Sequence, residues 1–347
     1  MSKSCDMDIF FIEHRDPIFG LVVLFAIIFM IAVLSYVWGI FKGKDEKRQI
    51  EKFIKKFENL NALSIEHKNL LQNLDIDAQS LNLLGLTFSK NGDFEKAISI
   101  YIIALEKVKN KAEKELILTE LGQVYFKAGF LQNSMDVFLK SVEISPRNAI
   151  ALRFLTMIDE KLKRYDDALE TLTALNELGV DVRANEAYIN ALKILDDKSI
   201  EPKEKIAKIL EFQGDFELVK RMCMQVYIRQ GISLNNLPQF PRLSDAIDLL
   251  YSQENAVNLK DGEYHALFYA KGVVDEPKEI KSFELNVIKI LKDSGFNKAQ
   301  LSFSYVCKHC KNSFPMHFYR CPMCHELGSV SIIPNITEKP NENNMPF

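Results

Sequence analysis

A repeated pattern in the middle of the chain constrains the fold more than any other feature. The first copy is marked by Leu84-Gly85, Phe88, Ala97, Tyr101 and Ala104. A second copy keeps these spacings with Leu121-Gly122, Tyr125, Ser134, Phe138, Ser141 and Pro146. A weaker third copy has Leu155, Ala168 and Leu172 at the same offsets. Self-similarity at a fixed period is the signature of stacked supersecondary units, so the pattern predicts an array of helical hairpins.

The copies resemble the tetratricopeptide repeat, a helical hairpin with a period of about 34 residues. The turn signals Asn91-Gly92-Asp93 and Lys127-Ala128-Gly129 fall where the two helices of a hairpin must join. We therefore predict a mostly α-helical solenoid with tetratricopeptide repeats over residues 78–178. Stacked hairpins form a superhelix with a concave surface that binds peptides or proteins, and such arrays are scaffolds more often than enzymes.

Residues 179–298 lack the repeat signature but keep helical spacing, so we expect degenerate helical repeats there. The predicted helices run over Ala184 to Leu195, Lys203 to Phe212, Asp215 to Arg229, Leu243 to Gln253 and Ser282 to Leu291. The segment Asn235 to Pro241 interrupts them, because its prolines forbid helix continuation. It is either a connector, which we favour, or a loop that exposes Phe240. We interpret Cys223 as a small buried hydrophobe.

Four cysteines near the end of the chain form two C-x-x-C pairs with ten residues between them. Two thiolates three positions apart on a tight turn point at one ion, and two such turns complete a tetrahedron of sulfur. The pattern predicts a structural site for Zn²⁺ or iron whose ligands are Cys307, Cys310, Cys321 and Cys324. Two disulfides are the alternative, but these suit oxidising compartments, whereas the topology inferred below places this end in the cytoplasm. Four sulfur ligands leave no open position for catalysis.

The sequence around the cysteines predicts a small ribbon. Alternation of Leu301, Phe303 and Tyr305 indicates a strand over Ala299 to Val306, and we expect the metal-binding ribbon to occupy residues 299–333. Residues 334–347 are rich in Asn, Pro and Glu and are predicted to form a disordered tail. Three histidines fall inside the ribbon, and we interpret them as surface groups or neighbours of the ligands rather than ligands: His309, His317 and His325.

Residues 18–41 form an uncharged run, mostly of Leu, Ile, Val and Phe, that is long enough to span a bilayer. The run is too long for a cleavable signal peptide, and no small-residue cleavage site follows it. Lys and Arg are much more frequent after the run than before it, which places residues 1–17 outside as a short periplasmic tail and the remainder in the cytoplasm. We expect residues 42–77 to be a juxtamembrane helical segment, with an amphipathic helix over Lys42 to Leu60.

The sequence shows little sign of catalytic chemistry. A net charge of −3 argues against a general nucleic-acid binder, because affinity for phosphate backbones depends on a basic face. The motifs H-E-x-x-H, G-x-S-x-G and G-x-G-x-x-G are absent, and Gly39 to Lys44 lacks the spacing of a phosphate loop. We therefore predict no catalytic residue and expect a protein that is not an enzyme.

The order of parts resembles the LapB (YciM) family of lipopolysaccharide assembly proteins: one membrane helix, tetratricopeptide repeats and a four-cysteine ribbon. The resemblance is most specific around the cysteines, where the aromatic pair Phe318-Tyr319 and Pro322 agree with the family's rubredoxin-like module. In that family the ribbon binds metal and packs against the repeats. This chain departs from rubredoxins at Lys311 and His325, because glycine is common at the position after each cysteine pair.

The resemblance implies a non-enzymatic adaptor in the bacterial inner membrane. Such an adaptor brings the LpxC deacetylase, the committed enzyme of lipid A synthesis, to the membrane protease FtsH. No individual repeat residue is assigned to either partner. Two alternatives stay open: a membrane-tethered repeat scaffold for other envelope or secretion machinery, and a rubredoxin-like electron carrier, which requires iron at the four cysteines.

Overall fold

The computed structural model describes Leu24, residues 27–31, Val33, and residues 63–213 and 216–339. The described residues of the predicted membrane span are helical and exposed. The rest of that span lies outside the described residues, as do residues 1–17 and the expected amphipathic helix. Within the described part of the chain, no helix has the length and hydropathy that crossing a bilayer requires. The chain divides into two compact units, Met1–Ala128 and Gly129–Phe347.

The first unit consists of helices over its described residues: α1 (Ile65–Asn73), α2 (Ala78–Lys90), α3 (Phe94–Lys107) and α4 (Lys111–Lys127). Three of these helices begin after a side chain that accepts a hydrogen bond from a backbone N–H of the first turn: Ser64, Asp77 and Asn110. Helices α2 and α3 pack together and join at the predicted turn. Gly92 in that turn has a φ of 83°, which favours glycine.

The close approach of α2 and α3 depends on Gly85. A Cβ atom at this position would lie 2.8 Å from Cζ of Tyr101, closer than non-bonded carbon atoms allow. Tyr101 is fully buried. The repeat signature therefore has a direct physical meaning, because a glycine on the first helix makes room for a tyrosine on the second.

The second unit continues the helical pattern. Its described helices are α5 (Leu131–Ile144), α6 (Ala149–Lys161), α7 (Tyr165–Glu177), α8 (Arg183–Asp196), α9 (Pro202–Gln213), α10 (Glu217–Arg229), α11 (Leu243–Tyr251), α12 (Gly262–Ala270) and α13 (Phe283–Asp293). Each of these helices packs against the next along the chain. The five helices predicted from Ala184 onward are present, and their ends lie within two residues of the predicted ones.

One large core runs through the second unit and includes residues of both the helices and the sheet. Cys223 is fully buried in this core, and burial raises the pKa of its thiol to about 12, which confirms its interpretation as a small hydrophobe. Phe240 is partly buried and packs edge-on against Tyr264 at 5.6 Å. The predicted connector is therefore confirmed, and it does not display Phe240 to solvent.

The chain ends in a three-stranded antiparallel sheet of order β2-β1-β3. The strands are β1 (Ala299–Cys307), β2 (Ser313–Phe314) and β3 (Val330–Glu338), so the predicted strand β1 is confirmed. The expectation of disorder from residue 334 is wrong for residues 334–338, which form the second half of β3. The prediction from composition failed because proline lacks the N–H that a central strand needs. Pro334 lies on β3, an edge strand, where a missing N–H is tolerated. Residues 340–347 lie outside the described residues.

We predict that Gly85→Ala destabilises the α2–α3 hairpin by about 2 kcal/mol, because the added methyl group overlaps the buried Tyr101 ring. Hydrogen exchange of the buried amides of α3 should accelerate roughly thirtyfold. Gly262→Ala is the matched control, since its Cβ would lie 3.6 Å from Lys278 in ordinary contact. That variant should be neutral or slightly stabilising. Equal exchange in the two variants would contradict the close-packing role of Gly85.

Candidate metal centre

The first C-x-x-C pair lies on a tight turn, here called a knuckle, that connects β1 to β2. The backbone N–H of Lys311 donates to the carbonyl oxygen of Cys307 at 3.0 Å. The N–H of Cys307 in turn donates to the carbonyl oxygen of Asn312 at 2.9 Å. These two hydrogen bonds close the turn and fix the direction in which both thiols point.

The second knuckle repeats this geometry. His325 donates its N–H to the carbonyl oxygen of Cys321 at 2.9 Å, and Cys321 donates to that of Glu326 at the same distance. Lys311 and His325, the residues that follow the two knuckles, both have a φ of 61°. This left-handed backbone explains why glycine is common at these positions in rubredoxins, since a side chain there costs roughly 1 kcal/mol. The chain forms both turns without glycine.

The two knuckles bring the four predicted ligands together. Their sulfur atoms all lie within 4.8 Å of one another. The sulfur of Cys307 lies 3.6 Å from that of Cys324, and the sulfur of Cys310 lies 3.6 Å from that of Cys321. Tetrahedral coordination with Zn–S bonds of about 2.3 Å separates the sulfurs by roughly 3.8 Å, so the donor set fits one such ion. All four are free cysteines, and the disulfide alternative is not formed.

Hydrogen-bond donors surround the sulfurs of the first knuckle. Burial alone would raise the pKa of Cys307, but the hydroxyl of Ser329 at 3.2 Å and two backbone amides lower it to about 6. The amide group of Asn312 donates to the sulfur of Cys310 at 3.3 Å and, with its backbone N–H, lowers the pKa of that thiol. These groups favour the thiolate, which is the form that binds metal.

The second knuckle stabilises the thiolate form of its cysteines less than the first knuckle does. Burial raises the pKa of Cys321 and raises that of Cys324 to about 12. A bound cation favours deprotonation of such thiols. Four thiolates around one ion close its coordination shell, so Zn²⁺ or iron held here would tie the two knuckles together. The cluster can hold a metal ion, and its chemistry suits a structural centre.

The three ribbon histidines lie outside this cluster. His309 is exposed. The ring of His317 packs between two tyrosines, with centroids 5.7 Å from Tyr305 and 5.0 Å from Tyr319. Burial and the nearby Arg221 lower the pKa of His317 to about 4, so its ring is neutral at physiological pH. His325 packs edge-on against the ring of Phe154 in α6.

The ribbon contacts a buried ion pair that joins two of the helices. Arg221 of α10 donates to both carboxylate oxygens of Asp248 of α11 at 2.6 and 2.7 Å, and both side chains are less than a tenth exposed. The hydroxyl of Tyr305, two residues before the first knuckle, donates to the same carboxylate at 2.9 Å. Burial alone would raise the pKa of Asp248, but Arg221 and Tyr305 hold it below its ordinary value. The resulting stability is present above the unfolded carboxyl pKa of about 4 and is lost as pH falls through the lower folded value.

Two more contacts anchor the second knuckle. The hydroxyl of Tyr319 donates to Gln225 of α10 at 2.7 Å. Arg320 donates to Glu160 of α6 at 2.6 Å and to Asn185 of α8 at 3.1 Å. Tyr319 and Arg320 immediately precede the second knuckle, just as Tyr305 lies next to the first. Fixing the knuckles therefore also fixes the residues that dock the ribbon on the helices.

Sequence reasoning missed these docking residues. Asp248 lies 57 positions from Tyr305, and Glu160 lies 160 positions from Arg320, so no local pattern links either pair. A weak signal did exist, because Arg221 directly precedes the apolar residues Met222, Cys223 and Met224 of α10. A charged residue at a core position indicates a buried partner.

The comparisons with known proteins agree with the helical part of this description. Residues 78–106, which cover α2 and α3, match the tetratricopeptide repeat family. With the sulfur cluster, this shows a repeat protein of the tetratricopeptide type that carries a C-terminal four-cysteine site. Repeats of this type commonly mediate protein–protein interaction.

Similar proteins give little further information. Over 113 residues the chain is 30% identical to "Protein CTR9 homolog" of Arabidopsis thaliana, and the match covers 32% of this chain and 10% of that protein. A tetratricopeptide repeat protein from Parabacteroides merdae is 15% identical over 72% of this chain and 98% of its own, with a TM-score of 0.37. MamA from Desulfovibrio magneticus RS-1 is 19% identical over 44% and 85%, with a TM-score of 0.35. At these values the similarity identifies neither a partner nor an activity.

We predict that the purified protein holds one metal ion per chain. We expect Ser329→Ala to lower the affinity for this ion by about 10- to 100-fold. The variant removes a hydroxyl that stabilises the Cys307 thiolate. Competition with a chromophoric chelator measures the affinity. Ser331→Ala is the control, because Ser331 lies two residues further along the chain, in β3 and outside the cluster, and its substitution should not change the metal affinity. Equal affinities in the two variants would show that Ser329 does not support the site.

We predict that Arg221→Met undocks the ribbon by leaving the buried Asp248 carboxylate without its cation, a cost of about 3–5 kcal/mol. Hydrogen exchange of β1 should rise more than a hundredfold. Combining Arg221→Met with Asp248→Leu removes both charges and should restore part of the protection, because the buried charge is gone but the Tyr305 hydroxyl has lost its acceptor. If the single variant left exchange of β1 unchanged, the ion pair would not hold the ribbon.

Proposed function

We propose that this protein is a non-enzymatic adaptor of the bacterial inner membrane that controls proteolysis of a lipopolysaccharide enzyme. The helical repeats bind the client, which we propose is the LpxC deacetylase, and bring it to the FtsH protease. Residues 18–41 anchor the chain, with the N-terminus in the periplasm and the bulk of the chain in the cytoplasm. Such tethering raises the mutual effective concentration of client and protease, so no reaction by the adaptor itself is needed.

The observation that supports the scaffold part of this proposal is the docking of the four-cysteine ribbon on the helices. Tyr305, Tyr319 and Arg320 lie beside the knuckles and contact four helices of the second unit: α6, α8, α10 and α11. An ion at the cysteines would therefore stabilise a large helical surface rather than an isolated redox module. This favours the scaffold over the alternative of an electron carrier, whose metal need not be coupled to a repeat surface.

The membrane part of the proposal rests on the sequence. Residues 18–41 are uncharged, and a lysine-rich segment follows them. The described residues within this run are helical and carry exposed apolar side chains such as Phe29 and Met30. An anchor at residues 18–41 would hold the repeats close to a membrane protease while leaving them accessible to a client in the cytoplasm.

We predict that depleting this protein in its own organism lengthens the half-life of LpxC after translation is blocked. Complementation with the intact chain should restore rapid degradation. Cys321→Ser should fail to do so, because loss of a ligand frees the second knuckle and its docking contacts. Deleting residues 1–41 should weaken degradation more than it weakens binding of LpxC to the purified protein, since the anchor serves delivery.

An unchanged half-life upon depletion would contradict LpxC as the client. Cys321→Ser protein that inserts into the membrane and restores degradation fully would contradict the role of the ribbon. A purified protein with a reversible iron redox couple and no bound client would favour the electron carrier instead.

A further inference from the structure

A cleft of about 280 Å³ lies between the third repeat and the second knuckle. One wall is the exposed side of α6, with Ile150 and Arg153. The opposite wall is the segment from Cys324 to Leu327, which belongs to the metal module. The volume lies just below the range for small-molecule sites, roughly 300–1,000 Å³, and suits one or two side chains of a bound segment.

The floor of the cleft is apolar. It is lined by Met157 of α6 and by Leu172 and Leu175 of α7, all less than a tenth exposed. Ile150 stands at its edge with 53% of its surface exposed. An apolar side chain inserted here would cover Ile150 and contact the buried side chains of the floor.

The repeat wall carries two hydrogen-bond donors that have no acceptor among the described residues. Arg153 is exposed and has no hydrogen bond or ion pair with any described residue. Asn185 uses its side-chain oxygen to accept from Arg320, which leaves its amide N–H groups free to donate into the cleft. A guanidinium and an amide that line the same cleft are complementary to a carboxylate.

The other charges of the cleft are mostly satisfied. Arg320 is paired with Glu160, and Asp181 is paired with Arg183. Glu326 is exposed on the ribbon wall and has no side-chain partner among the described residues. An acidic ligand group therefore fits the repeat wall at Arg153, whereas the ribbon wall repels it.

We propose that this cleft binds a short linear peptide with one apolar anchor residue and a neighbouring Asp or Glu. The anchor fills the apolar floor, and the acidic side chain contacts Arg153 and Asn185. This inference rests on the proposed scaffold function and names the chemistry of the segment that the scaffold recognises. Because Cys324 helps to form one wall, binding requires the metal-loaded ribbon.

The test is a selection of phage-displayed random heptapeptides on the full-length, metal-loaded protein, followed by fluorescence anisotropy with the most enriched peptide. We expect enriched sequences to combine a large apolar residue with Asp or Glu. Arg153→Glu should weaken binding of the enriched peptide at least about tenfold and should itself select peptides with Lys or Arg. Arg147→Glu is the matched control, because it makes the same charge change outside the cleft and should weaken binding less than twofold.

Metal content and hydrogen exchange of Arg153→Glu should equal those of the unchanged protein, which separates lost recognition from misfolding. Absence of any enriched peptide, or equal binding by the two arginine variants, would overturn the proposal. A dimer in solution that Arg153→Glu dissociates would overturn it as well and assign the cleft to a second copy of the chain. Peptide binding without any effect of depletion on LpxC half-life would support the cleft while contradicting the proposed client.

Discussion

The buried pair of Arg221 and Asp248 is the interaction on which the second unit depends. Both charges are removed from water, so each needs the other, and the hydroxyl of Tyr305 provides a further hydrogen bond to the carboxylate. A buried ion pair contributes less stability than apolar packing of the same volume, but its attraction offsets the cost of desolvation only when the two charged groups are well aligned. It therefore fixes where the first knuckle lies relative to α10 and α11.

The ribbon and the helices are consequently interdependent. The ribbon's own core contains little more than Phe318 with the buried cysteines Cys307 and Cys321, which is too small to fold alone. A metal ion would hold the two knuckles, and the knuckles would position the three side chains that dock the ribbon. In return, the ribbon covers α11 and α13 and completes the large core through Leu301. A metal ion bound at the four cysteines would thus act on the shape of the helical surface.

Much of this structure could be predicted from the sequence, because it is local. Helix ends followed the apolar periodicity, and the left-handed turns at Lys311 and His325 fall where rubredoxins place glycine. The four cysteines that come together in the cluster were evident from their spacing alone. The docking pairs were not, since residues as distant as Glu160 and Arg320 meet only through the tertiary fold. The second half of β3 was missed because composition reports the average preference of a segment, whereas Pro334 is tolerated on an edge strand.

The most direct test of the account is hydrogen exchange of α10 and α11 in the full-length protein with its metal bound and after removal by a chelator. The account predicts that removal exposes these two helices and accelerates their exchange, while exchange of α2 and α3 in the first unit stays unchanged. If α10 and α11 remained equally protected without the ion, the metal would not control docking of the ribbon, and the coupling between the four cysteines and the helical surface would be contradicted.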